Sequence, residues 1–278
     1  MLAAAAALAL LVVPGAAART VVETAKSGDV VARLSFAYNA STYRFSRLHV
    51  TISRGGAIVV DTPLRPLPPP YYTSEIIPEG YSAHRKSIFT RDLDGDGEPE
   101  VYLELYSGAA HCCDYTQVYR YVASAEGYSL RTHVWGNVGV FVTDLNRDRV
   151  PEFESADDRF SYEFTDFADS SWPVQIWAYR NGDFTDVTRQ FPAVIAADAR
   201  RQWRYAFGRD SNGPRRRGVL AAWAADECLL RRCGEAFRRL ETLRKKRRLD
   251  VRSLCPCDRS ARAYLLHLRR FLRRTGYL

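Results

Sequence analysis

The sequence predicts an α+β protein, with a β-rich N-terminal region over residues 19–190 and a small helical bundle over 191–278. Three observations carry this reading. Up to about residue 190, short runs rich in Val, Ile, Tyr and Phe alternate with polar residues between Gly- and Pro-containing turns, the period-2 mark of strands. Past Pro192 the apolar residues switch to helical spacing. The charge reverses at nearly the same place. Residues 1–198 hold 17 Lys and Arg against 25 Asp and Glu, a net of −8, whereas residues 199–278 hold 23 against 7, a net of +16. Such asymmetry goes with two regions, or with a basic face that meets a polyanion.

In chain order, Met1 to Val13 is apolar, Pro14-Gly15 breaks the run, and Ala16-Ala17-Ala18 precedes Arg19. This is an apolar core followed by an A-x-A site, so residues 1–18 are expected to be a secretory signal peptide; an uncleaved anchor is the alternative. No later segment reaches about 18 apolar residues, so no transmembrane segment is expected in the mature chain. Val30 to Phe36 and Leu48 to Ser53 read as strands. Gly55-Gly56 then turns the chain into Ala57 to Val60, a hairpin signal. Four prolines within 66–70 make an extended connector.

The most chemically specific stretch is Asp92-Leu93-Asp94-Gly95-Asp96-Gly97-Glu98-Pro99-Glu100. Acids stand at positions 1, 3, 5 and 9, with Gly at 6. Ca²⁺ takes six to eight oxygen ligands, and carboxylates alternating along a tightly curling loop supply several of them. The expected ligands are Asp92, Asp94, Asp96, the carbonyl of Glu98, and Glu100. The competing reading is a solvated acidic turn without metal. An EF-hand is excluded, because position 12 is Leu103 and the flanks, Ser87 to Thr90 and Val101 to Tyr106, read as strands rather than helices.

Fifty-two residues later the loop recurs as Asp144-Leu145-Asn146-Arg147-Asp148-Arg149-Val150-Pro151-Glu152, identical at positions 1, 2, 5, 8 and 9. The corresponding candidate ligands are Asp144, Asn146, Asp148, Val150 (carbonyl) and Glu152. This copy is degraded: Asn replaces Asp at position 3, and Arg149 replaces the Gly at position 6. Its alternative is a vestigial turn whose acids pair with Arg147 and Arg149. Between the loops, Tyr115 to Val122 and a segment after Gly127 read as further strands.

Six cysteines in an exported chain favour disulfides. Cys112 and Cys113 share one turn, while Cys228, Cys233, Cys255 and Cys257 cluster in the tail, where three pairings are open and a zinc site is the competing idea. In the helical region Val219, Leu220, Trp223, Leu229 and Leu230 form one apolar face, and Phe237, Leu240 and Leu243 continue it. Asp258 is the expected N-cap of a last helix that buries Leu265, Leu268, Phe271 and Leu272 and stops at Gly276. The run Arg244-Lys245-Lys246-Arg247-Arg248 reads either as a polyanion-binding patch or as a solvated helix end.

Both acidic loops resemble the D-x-[DN]-x-D-G-x-x-[DE] calcium loops of FG-GAP/VCBS repeats, the blades of integrin-α-type β-propellers. The likeness to exported bacterial VCBS/FG-GAP-repeat proteins extends to QIWAYRNGDFTDVTRQFP, VLAAWAADECLLRRCGEAFRRL and the ending LRRFLRRTGYL. It implies propeller-like repeats, Ca²⁺ as the cofactor and a secreted location. Together with the absence of G-x-S-x-G, H-E-x-x-H, G-x-G-x-x-G and P-loop motifs, it points to a non-enzymatic binding module at the cell surface. Cell-wall polymers, an anionic surface or another protein are the expected partners, with no role for nucleic acid. The alternative is a secreted, glycosidase-like hydrolase using carboxylates such as Asp157, Asp158 and Glu163. Trp135, Trp172 and Trp177 are available either to stack on a sugar or, more commonly, to fill a core.

Overall fold

A computed structural model describes residues 18–68, 71, 75–82, 84–209, 213–251 and 260–278. The proposed signal peptide therefore lies outside the described residues except for Ala18, as do Cys255, Cys257 and Asp258. The chain builds three antiparallel sheets and then a helical region. β1 (Arg19–Ser27), β2 (Val30–Asn39), β3 (Arg44–Arg54) and β4 (Ala57–Pro63) form a meander. The β3–β4 turn uses Gly55 and Gly56 at φ of 55° and 87°, where any side chain would be strained. In the second sheet β5 (Ile77–Pro78) and β6 (Ile88–Arg91) both pair with β7 (Glu100–Tyr106), which continues into β8 (Asp114–Val122) and β9 (Gly127–Gly136). A four-residue helix, α1 (Glu79–Ser82), joins β5 to β6. The third sheet is β10 (Phe141–Thr143), β11 (Glu152–Ala156), β12 (Val174–Arg180) and β13 (Asp183–Asp186).

The sheets stack, because each has an apolar face to bury. Leu34, Phe36, Val50 and Ile52 of the first sheet pack on Ile88, Val101, Leu103 and Leu105 of the second. The opposite face of the second sheet, with Tyr102, Val118 and Trp135, packs on Phe153, Tyr179 and Phe184 of the third. β7 is thus covered on both sides, and six of its seven residues are buried. Beyond the third sheet, Val174 and Ile176 meet Ile195 of α2 (Pro192–Ala206). No ring of sheets closes among the described residues.

The helical region centres on α3 (Gly213–Leu229), where every residue from Arg217 to Asp226 is buried. α2, α4 (Cys233–Lys245) and α5 (Ala261–Arg274) surround it, and Phe160, from the chain after β11, enters the same core. The predicted apolar positions Leu265, Leu268, Phe271 and Leu272 are all buried. The helix starts later than expected: Ser260, not Asp258, is the N-cap, its hydroxyl accepting from the Ala263 N–H at 3.2 Å. Cys228 and Cys233 form a disulfide linking α3 to α4, so the tail cysteines do not make a four-thiol zinc set. Cys112 and Cys113 are bonded to each other in the β7–β8 turn.

Gly218 lets α3 lie directly on the 161–173 segment, since a Cβ there would collide with the Asp169 carbonyl. Gly218→Ala should lower stability by about 1–3 kcal/mol, or several degrees in Tm, despite the better helix propensity of Ala. Gly139→Ala, where a Cβ meets nothing within 4 Å, is the control and should leave Tm within about a degree.

Candidate metal centre

The β6–β7 connection carries the first acidic loop. Asp92 closes it from within: Oδ1 accepts from the Gly95 N–H at 2.7 Å and Oδ2 from the Gly97 N–H at 3.0 Å. Gly95 and Gly97 stand at φ of 79° and 87°. Asp94 accepts from the Asp96 N–H at 3.3 Å, and Asp96 from the Glu98 N–H at 2.8 Å. These local bonds curl the chain so that alternate carboxylates point inward. Glu100 begins β7 with no solvent exposure, and its Oε2 takes the Leu93 N–H at 2.8 Å.

Ligand atoms of Asp92, Asp94 and Glu100 lie within 4.8 Å of one another, the one such group of three or more among the described residues. Glu100 Oε1 is buried without a hydrogen-bond partner, as is the Tyr179 hydroxyl. Burial pushes the Glu100 carboxyl up to about 8; the Leu93 N–H opposes the shift, and the charges of Asp94, Asp96 and Asp92 add to it. Tyr179 is raised by burial and then by the charge of Glu100, so its ring shares this acidic surrounding. The balancing cation supplied by the chain is Arg120 of β8. Its Nε donates to Asp94 at 3.1 Å, its Nη2 donates to Asp96 at 2.9 Å, and Glu100 Oε1 lies 3.8 Å from its Nε.

The donor set suits a hard divalent cation. Each carboxylate oxygen has two lone pairs, so an oxygen holding one N–H can still ligate. Asp92, Asp94 and Glu100 converge, while Asp96 is turned towards Arg120. The Glu98 side chain points away and ion-pairs with Arg54, whose guanidinium also sits 4.5 Å over the Tyr121 ring. Glu98 is thus left with only its carbonyl to offer an ion.

The second loop folds the same way. Asp144 accepts from the Arg147 and Arg149 N–H groups at 2.7 and 2.9 Å, Asn146 from Asp148 at 2.9 Å, Asp148 from Val150 at 2.8 Å, and Glu152 from Leu145 at 3.0 Å. Arg147 and Arg149 occupy φ of 67° and 76°, the conformation Gly holds in the first copy. The Asn146 amide donates to Asp148 at 2.9 Å. The two loops also touch: a Cβ on Gly95 would meet Val150. Arg180 of β12 reaches back to the Leu93 carbonyl at 3.1 Å and lowers Asp148 through its charge, after the Val150 N–H and the Asn146 amide.

The other sequence candidates lie elsewhere. Trp135 is core and donates to Thr116 at 2.8 Å; Trp172 donates to Ser161 at 2.8 Å. Asp157 is held by Arg159 and Tyr277, Asp158 by Asn137 and Ser161, and Glu163 by His267 at 2.6 Å. The basic run does not continue as one helix face. α4 ends at Lys245 and Arg247 sits at φ of 57°, while Arg244 pairs with Glu241 and Arg247 with Asp250. Arg120, Arg54, Arg180 and Tyr179 were not anticipated, because only the folded sheets bring them to the loop.

Comparison with known proteins places the similarity in a different family from the one expected. A family model described as the sll0997 C-terminal domain matches residues 195–276, the helical region. Over 165 residues the chain is 28% identical to "Probable thylakoid lumen protein sll0997" of Synechocystis sp., an alignment covering 52% of this chain and 44% of that protein. The chain thus spans less than half the length of this curated relative. A "Xanthomonas Type IV Secretion System related protein" is similar at 15% identity with a TM-score of 0.22, covering 60% of this chain and 92% of that one, too low to carry a fold argument. The expected FG-GAP/VCBS membership is therefore corrected: the model that matches is that of the sll0997 C-terminal domain, over residues 195–276. The physical reason is that a nine-residue loop closed by its own Asp-to-backbone bonds is a local solution to joining two strands, and it carries no information on the sheets around it.

Two buried carboxyls set an acid-side prediction. Burial, with Glu79 nearby, pushes both Glu104 and Asp114 up to about 7, while burial pushes His133, packed against Trp135, Trp177 and Phe184, down to about 4. A raised carboxyl favours the folded state below its unfolded value, and that stability is lost as pH rises through about 7. A depressed His acts oppositely, removing stability as pH falls from about 6.5 towards 4. Glu104→Gln should abolish a gain of at most about 3 kcal/mol between pH 7.5 and 5, and His133→Gln should steepen that gain. Tm against pH in chelator, for both variants and wild type, checks the two signs.

Proposed function

We propose that this chain works outside the cytoplasm as a calcium-stabilised binding module rather than as an enzyme. The observation that carries the calcium reading is the fully buried Glu100, whose Oε1 has no hydrogen-bond partner and which lies within ligand distance of Asp92 and Asp94. A buried carboxyl among other acids either keeps its proton, as its shift up to about 8 favours without an ion, or ionises against a bound cation. Arg120 supplies one positive charge to the three carboxyls it faces, Asp94, Asp96 and Glu100, and a divalent ion would add two more against these and Asp92. Calcium here is structural: it would fix the β6–β7 turn, and through Gly95 and Val150 the second loop.

Export is supported by the apolar leader, by the disulfides, and by the similarity to a probable thylakoid lumen protein of Synechocystis. No helix among the described residues is long and apolar enough to cross a membrane. The binding reading is favoured over hydrolysis because Asp157, Asp158 and Glu163 are each committed to Arg, Asn, Ser, Tyr or His partners.

Extracellular modules bind calcium with Kd of roughly 10⁻⁴–10⁻³ M. With Kd about 0.1 mM and about 1 mM Ca²⁺, linkage adds roughly 1.4 kcal/mol, or a few degrees in Tm. Asp94→Ala should erase the response. Arg120→Gln should lower Tm in chelator and enlarge the calcium-induced rise, since the guanidinium and the ion share carboxylates. Equal Tm for wild type in calcium and in chelator would end the calcium reading.

A further inference from the structure

The helical region carries a groove whose chemistry no loop or sheet explains. One face of α4 (residues 234, 237, 238, 241, 242 and 245) and one face of α5 (262, 265, 266 and 269) line it at helical i, i+3, i+4, i+7 spacing. It is about 610 Å³ in volume. Its floor is Phe237 and Leu265, each 9% exposed, and Leu266 stands at its edge, 51% exposed. Arg238, Arg262 and Arg269 are exposed beside that floor, and Arg269 lies over the Phe237 ring at 4.5 Å. With Arg244 and Lys245, five cations face one carboxylate among the described residues, Glu241, which Arg244 already engages. Two helices of this length give a groove roughly 20 Å long.

We propose that this groove docks an acidic amphipathic helical segment of another protein, its apolar stripe on Phe237, Leu265 and Leu266 and its carboxylates on Arg238, Arg262 and Arg269. The inference deepens the binding-module reading and does not depend on calcium. Charge complementarity selects acidic residues. The apolar floor selects an amphipathic partner over a purely charged wall polymer, which would gain nothing from Phe237 or Leu265. The floor is recessed, so a flat anionic membrane would reach only Leu266. A helix laid into a groove uses the anchor spacing that both walls present. The groove falls wholly within residues 195–276, the part matched by the sll0997 C-terminal domain model.

The test uses the full chain, in about 1 mM calcium and again in chelator, at about 150 mM salt. Fluorescence anisotropy is read with three synthetic helical peptides of 18 residues: Leu at i, i+3, i+4 and i+7 with a Glu polar face, the same with a Lys polar face, and a Glu-rich peptide lacking Leu. Phosphatidylglycerol vesicles are the fourth probe. The Leu/Glu peptide should bind in both conditions, at least about tenfold tighter than the other peptides, and vesicles should be retained weakly. The paired exposed substitutions R262E and R269E, and separately L266S, should each weaken that peptide by about tenfold or more without changing Tm. Equal binding of the Leu-free acidic peptide, stronger retention on vesicles, or no effect of R262E/R269E would overturn the proposal. Loss of peptide binding in chelator with Tm unchanged would likewise contradict its independence from calcium, whereas a missing calcium-induced Tm shift with the peptide still bound would count against the metal reading alone.

Discussion

A carboxylate with no exposure to water is the constraint on which the β region depends. Glu100 begins the strand buried on both faces, holds the Leu93 N–H with one oxygen, and presents the other to an acidic loop. Burying an ion without compensation is prohibitive, so burial and the neighbouring acids push this carboxyl up to about 8 and it ionises only where positive charge is at hand. Guanidinium groups gather around the loop from several directions. Arg120 arrives from β8, Arg54 draws the Glu98 carboxylate away to the outside, and Arg180 reaches across from the third sheet to the Leu93 carbonyl. The loop is therefore where all three sheets meet electrostatically, even though it sits at one end of the stack.

Packing and charge reinforce one another here. The second sheet can be sandwiched because its strands are apolar on both faces, and the sandwich in turn strips solvent from Glu100, Glu104 and Tyr179. Low local dielectric strengthens each ion pair that remains and raises the penalty for each group left unpaired. The second loop repeats the backbone bonds of the first with Arg147 and Arg149 in place of glycines, and it contacts the first through Val150. A sequence repeat has become a pair of loops in contact, only one of which keeps three converging carboxylates.

Much of this was legible in the residues. The strands, the Gly55-Gly56 turn, the switch to helix after Pro192 and the inward Asp register all follow from local periodicity and turn chemistry, which act over a few residues. Other features could not be read locally. The alternation in Glu100 to Tyr106 suggests a half-exposed strand, and only the arrival of the third sheet covers Tyr102. Arg120 and Arg180 look like ordinary strand arginines until pairing brings them to the loop. Arg244 to Arg248 looks like one basic stripe, yet the helix ends inside it and Glu241 and Asp250 take two of its charges. The FG-GAP/VCBS resemblance misled because a short loop determined by Asx-type bonding recurs wherever strands need a tight acidic connection.

The proposal to test is that Asp92, Asp94 and Glu100 hold a divalent cation, with Tyr179 near enough to feel the charge of Glu100. Terbium is a calcium-sized probe that emits when a nearby aromatic ring is excited, so terbium titration with tyrosine excitation reads the site directly. The account predicts saturable sensitised emission from wild type, displaced by calcium and strongly reduced by Tyr179→Phe and by Asp94→Ala. Emission absent from wild type, or present but indifferent to calcium and to Asp94→Ala, would contradict it.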